Sequence, residues 1–301
     1  MSECIRWESV IPNFQQGDII TPFESSFKRQ RDADYILDGG MNHEDSLEEY
    51  ASVKRKDSQR VGVYNKNGNQ ILSEEFDECK VTIYNSGDFY VSAIKVKKQG
   101  LYGLYSRNGQ MIVPTKYASV NIKDYAVIVE DNNGLYGAYS LQGKQIIDCE
   151  YDYIDVWGSL DKGYGCAIIR KNKLFGAISE DGVEMIPLKF GLIEREIMGS
   201  GGYIVSDATN RNIKGWYSRD GKSNIPCMFK HLKINDTYLN PNIQVETPDG
   251  LKGIYSYGGK EIVPPKFETI NHIGNYIIGL IGDEKLFVYD WNGVCLYHTA
   301  K

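Results

Sequence analysis

Residues 100–109 read Gly100-Leu101-Tyr102-Gly103-Leu104-Tyr105-Ser106-Arg107-Asn108-Gly109, and residues 134–143 read Gly134-Leu135-Tyr136-Gly137-Ala138-Tyr139-Ser140-Leu141-Gln142-Gly143. The two stretches are nearly the same and lie 34 residues apart, which is typical of a tandem repeat. We call Gly103 and its counterparts the anchor glycines. We call Gly109 and its counterparts the turn glycines.

The same frame recurs from about Tyr50 to Tyr297. The anchor glycines are Gly62, Gly103, Gly137, Gly176, Gly215 and Gly253. Six residues after each comes a turn glycine, and these are Gly68, Gly109, Gly143, Gly182, Gly221 and Gly259. A seventh copy has Phe287 in the anchor slot and keeps the turn glycine, Gly293. So many matching positions predict seven repeats of one structural unit.

Aromatic residues fill two further slots of the repeat. Two residues after the anchor come Tyr64, Tyr105, Tyr139, Ile178, Tyr217, Tyr255 and Tyr289, in which only the fourth copy departs from tyrosine. Fourteen residues after the anchor come Phe76, Tyr117, Tyr151, Phe190, Phe229 and Phe267. Aromatic side chains favour pleated, half-buried surfaces, so these slots predict strands that pack in a core or between repeats.

Each repeat predicts three or four antiparallel strands. Pairs such as Asn108-Gly109 and Asn292-Gly293 favour two-residue type I′ hairpin turns. The strand after the turn carries an apolar pair such as Ile112-Val113, and four copies then have proline: Pro114, Pro187, Pro226 and Pro264. Because proline cannot donate to a ladder, we expect it to end the strand or to lie on a sheet edge.

The anchor glycine lies inside a predicted strand, where glycine normally weakens pairing. A bulge or a close approach would explain it, and we expect an aromatic ring of the adjacent repeat to pack against it. A β-carbon at Gly137 or Gly176 should then have less room than one at Gly259, beside Gly258 and solvent.

The repeats resemble WG repeats, a bacterial family whose units run aromatic-Gly, then a glycine turn, an Ile-Pro strand end and an aromatic residue. The matching residues of one copy are Tyr102-Gly103, Gly109, Ile112, Pro114 and Tyr117. Those of another are Phe175-Gly176, Gly182, Ile186, Pro187 and Phe190. The resemblance covers roughly the last five-sixths of the chain and implies a repeat scaffold, with no specific reaction, ligand or catalytic residue. The usual tryptophan of the family is Tyr or Phe in three copies and Val61, Lys214, Lys252 or Leu286 in the others.

We therefore predict an all-β fold of tandem three- to four-stranded antiparallel repeats, propeller-like with about seven blades. The alternative is an open β-solenoid or superhelix. Residues 50–301 form the repeat domain, and residues 1–49 form an N-terminal cap or arm that does not repeat cleanly. The acidic segment 32–49 has seven carboxylates and no Lys or Arg, which suits either an exposed cap or a partner-binding arm.

Composition narrows the function classes. The formal net charge is −6 and the basic residues form no stripe, so we expect no nucleic-acid partner. No apolar stretch is long enough for a transmembrane helix, and the start, Met1-Ser2-Glu3-Cys4, does not resemble a signal peptide, so we expect no membrane partner and a cytoplasmic protein. The six cysteines form no Cys-x-x-Cys pair, which favours reduced thiols over disulfides or a metal site.

The sequence offers no catalytic constellation. The histidines His43, His231, His272 and His298 are scattered, and the nucleophile, phosphate-loop and zinc motifs are missing, so we assign no catalytic residue, cofactor or metal. We expect a non-catalytic protein-interaction scaffold or regulatory binding module whose partner is another protein. The alternative is a hydrolase or a carbohydrate-binding protein with a composite pocket between repeats.

Residues that break the repeat are the candidates for partner binding. These are Trp157, Trp216 and Trp291, because exposed aromatic side chains are enriched in binding hot spots. The alternative for each is that it fills a local gap in the core.

Small-angle scattering separates the two predicted architectures. A propeller-like ring gives a compact particle, and an open superhelix gives a strongly elongated one. We expect the compact particle, and a strongly elongated one would rule out ring closure.

Overall fold

The computed structural model describes residues 5–23, 50–86, 89–123, 126–157, 166–179, 182–196, 202–235, 240–282 and 284–299. They form one short helix, α1 (Trp7–Val10), and 28 strands. No helix in these ranges is long and apolar enough to cross a membrane. The acidic segment 32–49 lies outside the described residues, so its role as a cap or an arm stays a prediction.

The strands form seven sheets of four, which we number along the chain. Sheet 1 contains β1 (Ile19–Pro22), β2 (Tyr50–Lys54), β3 (Val61–Asn65) and β4 (Gln70–Phe76). Sheet 2 contains β5 (Glu78–Ser86), β6 (Phe89–Lys98), β7 (Leu101–Tyr105) and β8 (Met111–Tyr117). Sheet 3 contains β9 (Ser119–Lys123), β10 (Ala126–Glu130), β11 (Tyr136–Ser140) and β12 (Gln145–Tyr151). Sheet 4 contains β13 (Tyr153–Trp157), β14 (Cys166–Lys171), β15 (Leu174–Ser179) and β16 (Glu184–Phe190).

Sheets 5 to 7 follow the same plan. Sheet 5 contains β17 (Leu192–Arg195), β18 (Gly202–Ser206), β19 (Lys214–Ser218) and β20 (Asn224–Phe229). Sheet 6 contains β21 (His231–Asn235), β22 (Asn242–Glu246), β23 (Lys252–Ser256) and β24 (Glu261–Phe267). Sheet 7 contains β25 (Thr269–Ile273), β26 (Tyr276–Ile281), β27 (Lys285–Tyr289) and β28 (Cys295–His298).

The strands of each sheet lie side by side in chain order, as in a propeller blade. The predicted all-β fold with about seven propeller-like blades is therefore confirmed, with four strands in every sheet. The anchor glycine lies in the third strand of its sheet. The four repeat prolines lie in fourth strands, which are edge strands, so the expectation that proline either ends the strand or lies on a sheet edge is met by the second alternative. Strand β1 comes from the segment that we predicted to be a cap or arm.

The chain divides into two compact units. One unit contains Met1–Ala167 and Ser179–Gly182, and so includes sheets 1 to 3. The other contains Ile168–Ile178 and Val183–Lys301, and so includes sheets 5 to 7. The strands of sheet 4 are divided between the units.

The hairpin turn between the third and fourth strands differs from our prediction. A type I′ turn needs positive φ at both central residues, but Gly109 has φ +87° while Asn108 is not among the residues with positive φ. Ser106 N–H donates to the Gln110 carbonyl at 2.9 Å, and Gly109 N–H donates to the Ser106 carbonyl at 3.1 Å. The turn is therefore a type I turn followed by a bulge at the left-handed glycine.

A polar residue three positions after the anchor holds this turn in place. The Oγ of Ser106 accepts a hydrogen bond from Gln110 N–H at 3.1 Å, and Oδ1 of Asp290 accepts one from Val294 N–H at 2.8 Å. Asn65, Ser140, Ser218 and Ser256 accept equivalent bonds in their own turns. Side chains of this kind stabilise turns by satisfying backbone N–H groups that the ladder leaves open.

The anchor glycine faces its own hairpin, so the expected ring from an adjacent repeat is wrong. A β-carbon on Gly137 would lie 2.7 Å from the carbonyl oxygen of Ile147 and 2.9 Å from Sγ of Cys149, both on the neighbouring strand β12. The register between β11 and β12 shifts at this point, which marks a β-bulge. The bulge brings the β12 backbone so close to the anchor that only glycine fits there.

The turn glycine makes the contact between repeats that we had assigned to the anchor. A β-carbon on Gly259 would lie 2.6 Å from the carbonyl oxygen of Asn224, at the start of the fourth strand of the preceding sheet. Gly109 and Gly221 approach Ile71 and Met185 of their preceding repeats in the same way. Our expectation that Gly259 has room for a side chain is therefore wrong, because it ignored the preceding repeat.

The two aromatic slots meet across neighbouring repeats. Phe76 packs against Tyr105 with its ring edge on the ring face, at 5.8 Å between centroids. The same arrangement, at 5.7 to 5.9 Å, joins Tyr117 to Tyr139, Phe190 to Tyr217, Phe229 to Tyr255 and Phe267 to Tyr289. Each such pair adds about 0.5–1.5 kcal/mol beyond simple burial, so the expected packing role of both slots is confirmed.

The N-terminal segment covers the start of the array. Trp7 and Ile11 are buried against Ala51, Val53 and Tyr64 of sheet 1. The turn glycine of the first repeat approaches the carbonyl of Val10, so this segment occupies the place of a preceding repeat.

An ion-pair network holds the segment there. The Arg55 guanidinium donates to Asp18 Oδ2 at 2.9 Å and to Glu74 Oε1 at 2.6 Å. Burial raises the pKa of Asp18, but hydrogen bonds from the backbone N–H groups of Lys56 and Gln15 and from Arg55 outweigh it and lower that pKa overall. Since the side chain of Asp18 is only 1% exposed, it depends on these partners.

The turn-glycine contact can be separated from backbone strain with two alanine variants. Gly259 and Gly250 both have positive φ, +75° and +85°, but a β-carbon on Gly250 meets nothing within 4 Å. We expect Gly250→Ala to cost about 1–2 kcal/mol for the left-handed backbone alone. Gly259→Ala should cost about 1–3 kcal/mol more, because the preceding repeat must also move. Urea unfolding of both variants measures the difference, and equal costs would show that the contact with Asn224 is unimportant.

The Asp18 network predicts an acid-sensitive N-terminal segment. Asp18→Ala leaves a partly buried guanidinium with one carboxylate fewer and should lower the free energy of unfolding by about 2–4 kcal/mol at pH 7. The control is Glu75→Ala, which removes an exposed pair with Lys98 and should cost under about 1 kcal/mol.

The pH dependence follows from the lowered pKa of Asp18. The stabilisation is complete above the ordinary carboxyl pKa of about 4 and is lost as pH falls through the lower folded value. The difference between wild type and Asp18→Ala should therefore shrink in acid, and a difference that grows below about pH 4 would contradict this assignment.

Candidate interaction surface

Every sheet has two faces, which the strand register identifies. In sheet 7 one cross-strand row runs Asn271, Ile278, Val288 and Tyr297. The opposite face carries Ile277 and Tyr289, which are buried against Ile254 and Val263 of sheet 6. We call the face that points to the preceding sheet the back face, and the other the forward face.

The forward face is buried wherever another repeat follows. The third- and fourth-strand members of the row in sheets 1 to 6 are between 0% and 4% exposed. They are Val63 and Leu72, Leu104 and Val113, Ala138 and Ile147, Ala177 and Ile186, Trp216 and Ile225, and Ile254 and Val263. The fourth-strand member in sheet 7, Tyr297, is 56% exposed.

Other apolar side chains surround Tyr297 on the same face. Ile273 is 62% exposed and Tyr276 is 50% exposed, and the two are paired across β25 and β26. Leu296 is also exposed, at the bulge of β28. We define the uncovered face as Asn271, Ile273, Tyr276, Ile278, Val288, Leu296 and Tyr297; it contains no charged residue. Exposed apolar patches of this kind mark interaction sites.

Trp216, a predicted partner-binding residue, lies in the core. It occupies the third-strand position of its forward row, where the other sheets have Val, Leu or Ala, or Ile in sheet 6. Its side chain is 1% exposed and stacks on Tyr257 of the next repeat at 6.0 Å between ring centroids. Gly202 makes room for it, because a β-carbon there would lie 2.5 Å from the indole Nε1. The structure therefore places Trp216 between sheets 5 and 6 rather than on a surface.

Trp291 lies in the last hairpin turn, between β27 and β28. It is half-buried against the core between sheets 6 and 7 and packs edge to face with His272, at 5.1 Å between centroids. Partial burial lowers the pKa of His272, and the nearby Lys233 lowers it further. Of the three tryptophans predicted to bind a partner, Trp291 is therefore the one that belongs to the repeat of sheet 7, the sheet that carries the uncovered face. Trp157 ends β13, and its side chain lies outside the described residues.

Two buried or half-buried cysteines, Cys79 and Cys227, are poor nucleophiles. Burial raises the pKa of Cys79 to about 12 and that of Cys227 to about 11. Their Sγ atoms lie 3.9 Å and 3.7 Å from the carbonyl oxygens of Val61 and Val205. A thiol with a raised pKa gives little thiolate at neutral pH, so these side chains act as small apolar groups.

The hydroxyls of Tyr255 and Tyr117 are also held in the protonated form. Burial and a 3.0 Å hydrogen bond to Glu261 raise the pKa of Tyr255 to about 12. Burial and a hydrogen bond with Tyr139 raise the pKa of Tyr117. Across the described ranges, no three His, Cys, Asp or Glu side chains come together as metal ligands would.

No sequence motif marks the uncovered face. Its residues occupy ordinary repeat slots, and Tyr297 in particular stands where other copies carry core residues. The available signal was that Tyr297 belongs to the last of the seven copies of the repeat in residues 1–301.

The comparison with protein families matches one repeat. Residues 136–175 match the family described as WG containing repeat. This segment runs from the residue before Gly137 to the residue before Gly176, which is one repeat period. No curated protein matches the chain.

Solved structures similar to the chain include three proteins at low identity. The computationally designed Ika8 protein is 12% identical over 83% of this chain and 84% of its own, with a TM-score of 0.27. BamB from Moraxella catarrhalis is 12% identical over 84% and 80%, with a TM-score of 0.27. Kluyveromyces lactis Hsv2 is 9% identical over 66% and 71%, with a TM-score of 0.27. A TM-score of 0.27 is too low to support any conclusion, so the description of the fold rests on the strand pairing alone.

Proposed function

We propose that this chain is a non-catalytic protein-interaction module, built from seven WG-type repeats, which binds another protein through the uncovered face of sheet 7. One observation carries the proposal. Tyr297 is 56% exposed at a position where the six preceding sheets bury the residue almost completely.

The shape of the surface favours a protein over a small ligand. Small molecules bind in concave pockets that enclose most of their surface. The uncovered face is one side of a four-stranded sheet, with apolar side chains on β25, β26 and β28. A surface of this kind gains most from a partner that lays another apolar surface across it.

The proposal of seven copies rests on the repeated contacts. The family match covers only residues 136–175, but every sheet has the same strand order. The bulge beside the anchor glycine recurs in sheets 1, 2, 3, 4, 5 and 6. Sheet 7 keeps the same turn, with Gly293 N–H donating to the Asp290 carbonyl at 3.1 Å.

Site-specific photocrosslinking tests the proposed surface. A photoreactive phenylalanine analogue replaces Tyr297 in the full chain, which is then irradiated in extract of the source cells. We expect an adduct with one discrete protein chain, because the side chain at this position points away from the protein. Mass spectrometry identifies the captured chain and the site of attachment.

Met111 is the matched control position. It is 53% exposed, also lies in the fourth strand of its sheet, and lies outside the uncovered face. The analogue at Met111 should give no discrete adduct. The proposal fails if position 297 gives no adduct, or the same mixture as position 111.

A further inference from the structure

Four Asn-Gly pairs occur in the sequence, and each lies in a hairpin turn: Asn67-Gly68, Asn108-Gly109, Asn133-Gly134 and Asn292-Gly293. We propose that Asn133 is a site of spontaneous covalent modification, at which the side-chain amide is lost and an aspartyl or isoaspartyl residue forms. The other three pairs resist the same reaction, because the preceding sheet or the N-terminal segment holds their glycines in place. The reaction does not depend on the proposed binding surface.

The reaction needs only the chain and water. The backbone nitrogen of Gly134 attacks Cγ of Asn133 and closes a five-membered succinimide ring. The side-chain nitrogen takes up the proton that the backbone nitrogen loses and leaves as ammonia. Water then opens the ring: attack at Cγ gives aspartate, and attack at the backbone carbonyl carbon gives isoaspartate, in which the main chain runs through the former side chain. Glycine favours ring closure because it has no β-carbon to obstruct the attacking nitrogen.

Ring closure requires the turn to change its conformation. Gly134 has φ +77°, while Asn132 and Asn133 are not among the residues with positive φ, and Gly134 N–H donates to the Asp131 carbonyl at 3.1 Å. This is a type I turn followed by a left-handed glycine, with Asn133 as its third residue. The third residue of such a turn has ψ of about 0°, which turns the following nitrogen away from that residue's own Cβ. The peptide between Asn133 and Gly134 must therefore rotate before the nitrogen reaches Cγ, and the glycine moves with it.

The turn between β27 and β28 makes the same hydrogen bonds and serves as an internal reference. Oδ1 of Asp131 accepts a hydrogen bond from Asn133 N–H at 2.8 Å, and Oδ1 of Asp290 accepts one from Asn292 N–H at 2.9 Å. The two asparagine side-chain amides donate to Oδ2 of the same aspartates at 3.1 Å and 3.3 Å. In both turns the glycine N–H donates to the aspartate carbonyl at 3.1 Å.

The two turns differ in what surrounds the glycine. A β-carbon on Gly293 would lie 2.8 Å from the carbonyl oxygen of Ile262, so this glycine is packed against sheet 6. A β-carbon on Gly134 would have only Oε1 of Glu130 near it among the described residues, at 4.0 Å. Rotation of the peptide before Gly134 therefore opens the turn alone, whereas rotation before Gly293 must also break a contact between two sheets. Local openings that break fewer contacts cost less free energy and occur more often.

The remaining two pairs are held in the same way as Asn292-Gly293. A β-carbon on Gly109 would lie 2.6 Å from the carbonyl oxygen of Ile71 in sheet 1, and Gly68 approaches the carbonyl of Val10 in the N-terminal segment. Of the four pairs, only Asn133-Gly134 lies between the second and third strands of its sheet. The turns between the third and fourth strands are the ones that pack against the preceding repeat.

The modification would loosen the hairpin of β10 and β11. A hydrogen bond from Leu135 N–H lowers the pKa of Asp131, so this carboxylate is ionised at neutral pH. A second carboxylate at position 133 replaces the hydrogen bond from the Asn133 amide with repulsion between like charges. Isoaspartate also adds a methylene group to the main chain of the turn, which disrupts the 2.8 Å hydrogen bond from Asp131 N–H to the Leu135 carbonyl.

Incubation of the folded full-length chain at mildly alkaline pH, followed by peptide mapping, tests the inference. Mass spectrometry with electron-transfer fragmentation distinguishes asparagine, aspartate and isoaspartate at each position. We expect Asn133 to be converted roughly tenfold faster than Asn292, a difference of about 1.4 kcal/mol in activation free energy. Asn67 and Asn108 should be as slow as Asn292. Position 133 should yield isoaspartate together with aspartate, because direct hydrolysis of the side chain would yield aspartate alone.

The same chain unfolded in urea is the matched control. Nothing holds the glycines there, so the four pairs should react at similar rates. Equal rates at Asn133 and Asn292 in the folded chain would overturn the inference, and so would aspartate without isoaspartate at position 133. If Asn133 keeps the same lead in urea, the flanking residues and not the packing of the glycine set the rate, and the inference is wrong.

Discussion

The contact on which the array depends is that between a turn glycine and the backbone of the preceding repeat. Gly109, Gly221 and Gly259 each lie where a β-carbon would be within 2.5 to 2.6 Å of a carbonyl oxygen in that repeat. Only a residue without a side chain brings the two sheets this close, and positive φ at the same residue closes the hairpin. One glycine therefore satisfies the turn and the packing together. The aromatic pairs, such as Phe76 with Tyr105, then fill the space between the sheets that this contact brings together.

Much of the fold could be predicted from the sequence because residues that make the same contact recur at the same position of each repeat. Aromatic slots at fixed offsets predicted the rings that meet between repeats, and the glycine spacing predicted the hairpins. The turn type was wrong because we considered only the Asn-Gly pair and overlooked the Asn, Ser or Asp three residues after the anchor, such as Ser106. The anchor was misassigned because a β-bulge depends on register, and one-dimensional spacing does not show which of two neighbouring strands carries the extra residue.

The candidate site was harder to predict, for a physical reason. Trp216 breaks the repeat pattern and attracts attention, but its size is matched by Gly202 beneath it and Tyr257 above it, so the departure is compensated inside the core. Tyr297 keeps to the pattern and is nevertheless exposed. The two residues differ in exposure because they lie in different sheets of the array, which is a property of the array and not of the residue. Within a repeat protein, position in the array can therefore matter more than the identity of the side chain.

The first and the last sheet differ in what lies on their outer faces. A stacked repeat leaves one apolar face at each end, and repeat proteins need caps there to stay soluble. At the N-terminal end Trp7 and Ile11 cover sheet 1, and the buried carboxylate of Asp18 holds Arg55 against the same segment. In sheet 7, Ile273 and Tyr297 are apolar and exposed. A polar side chain at position 297 would make the last face compatible with water at no cost to sheet pairing. Tyrosine at that position is therefore the residue on which the proposed contact with another protein depends.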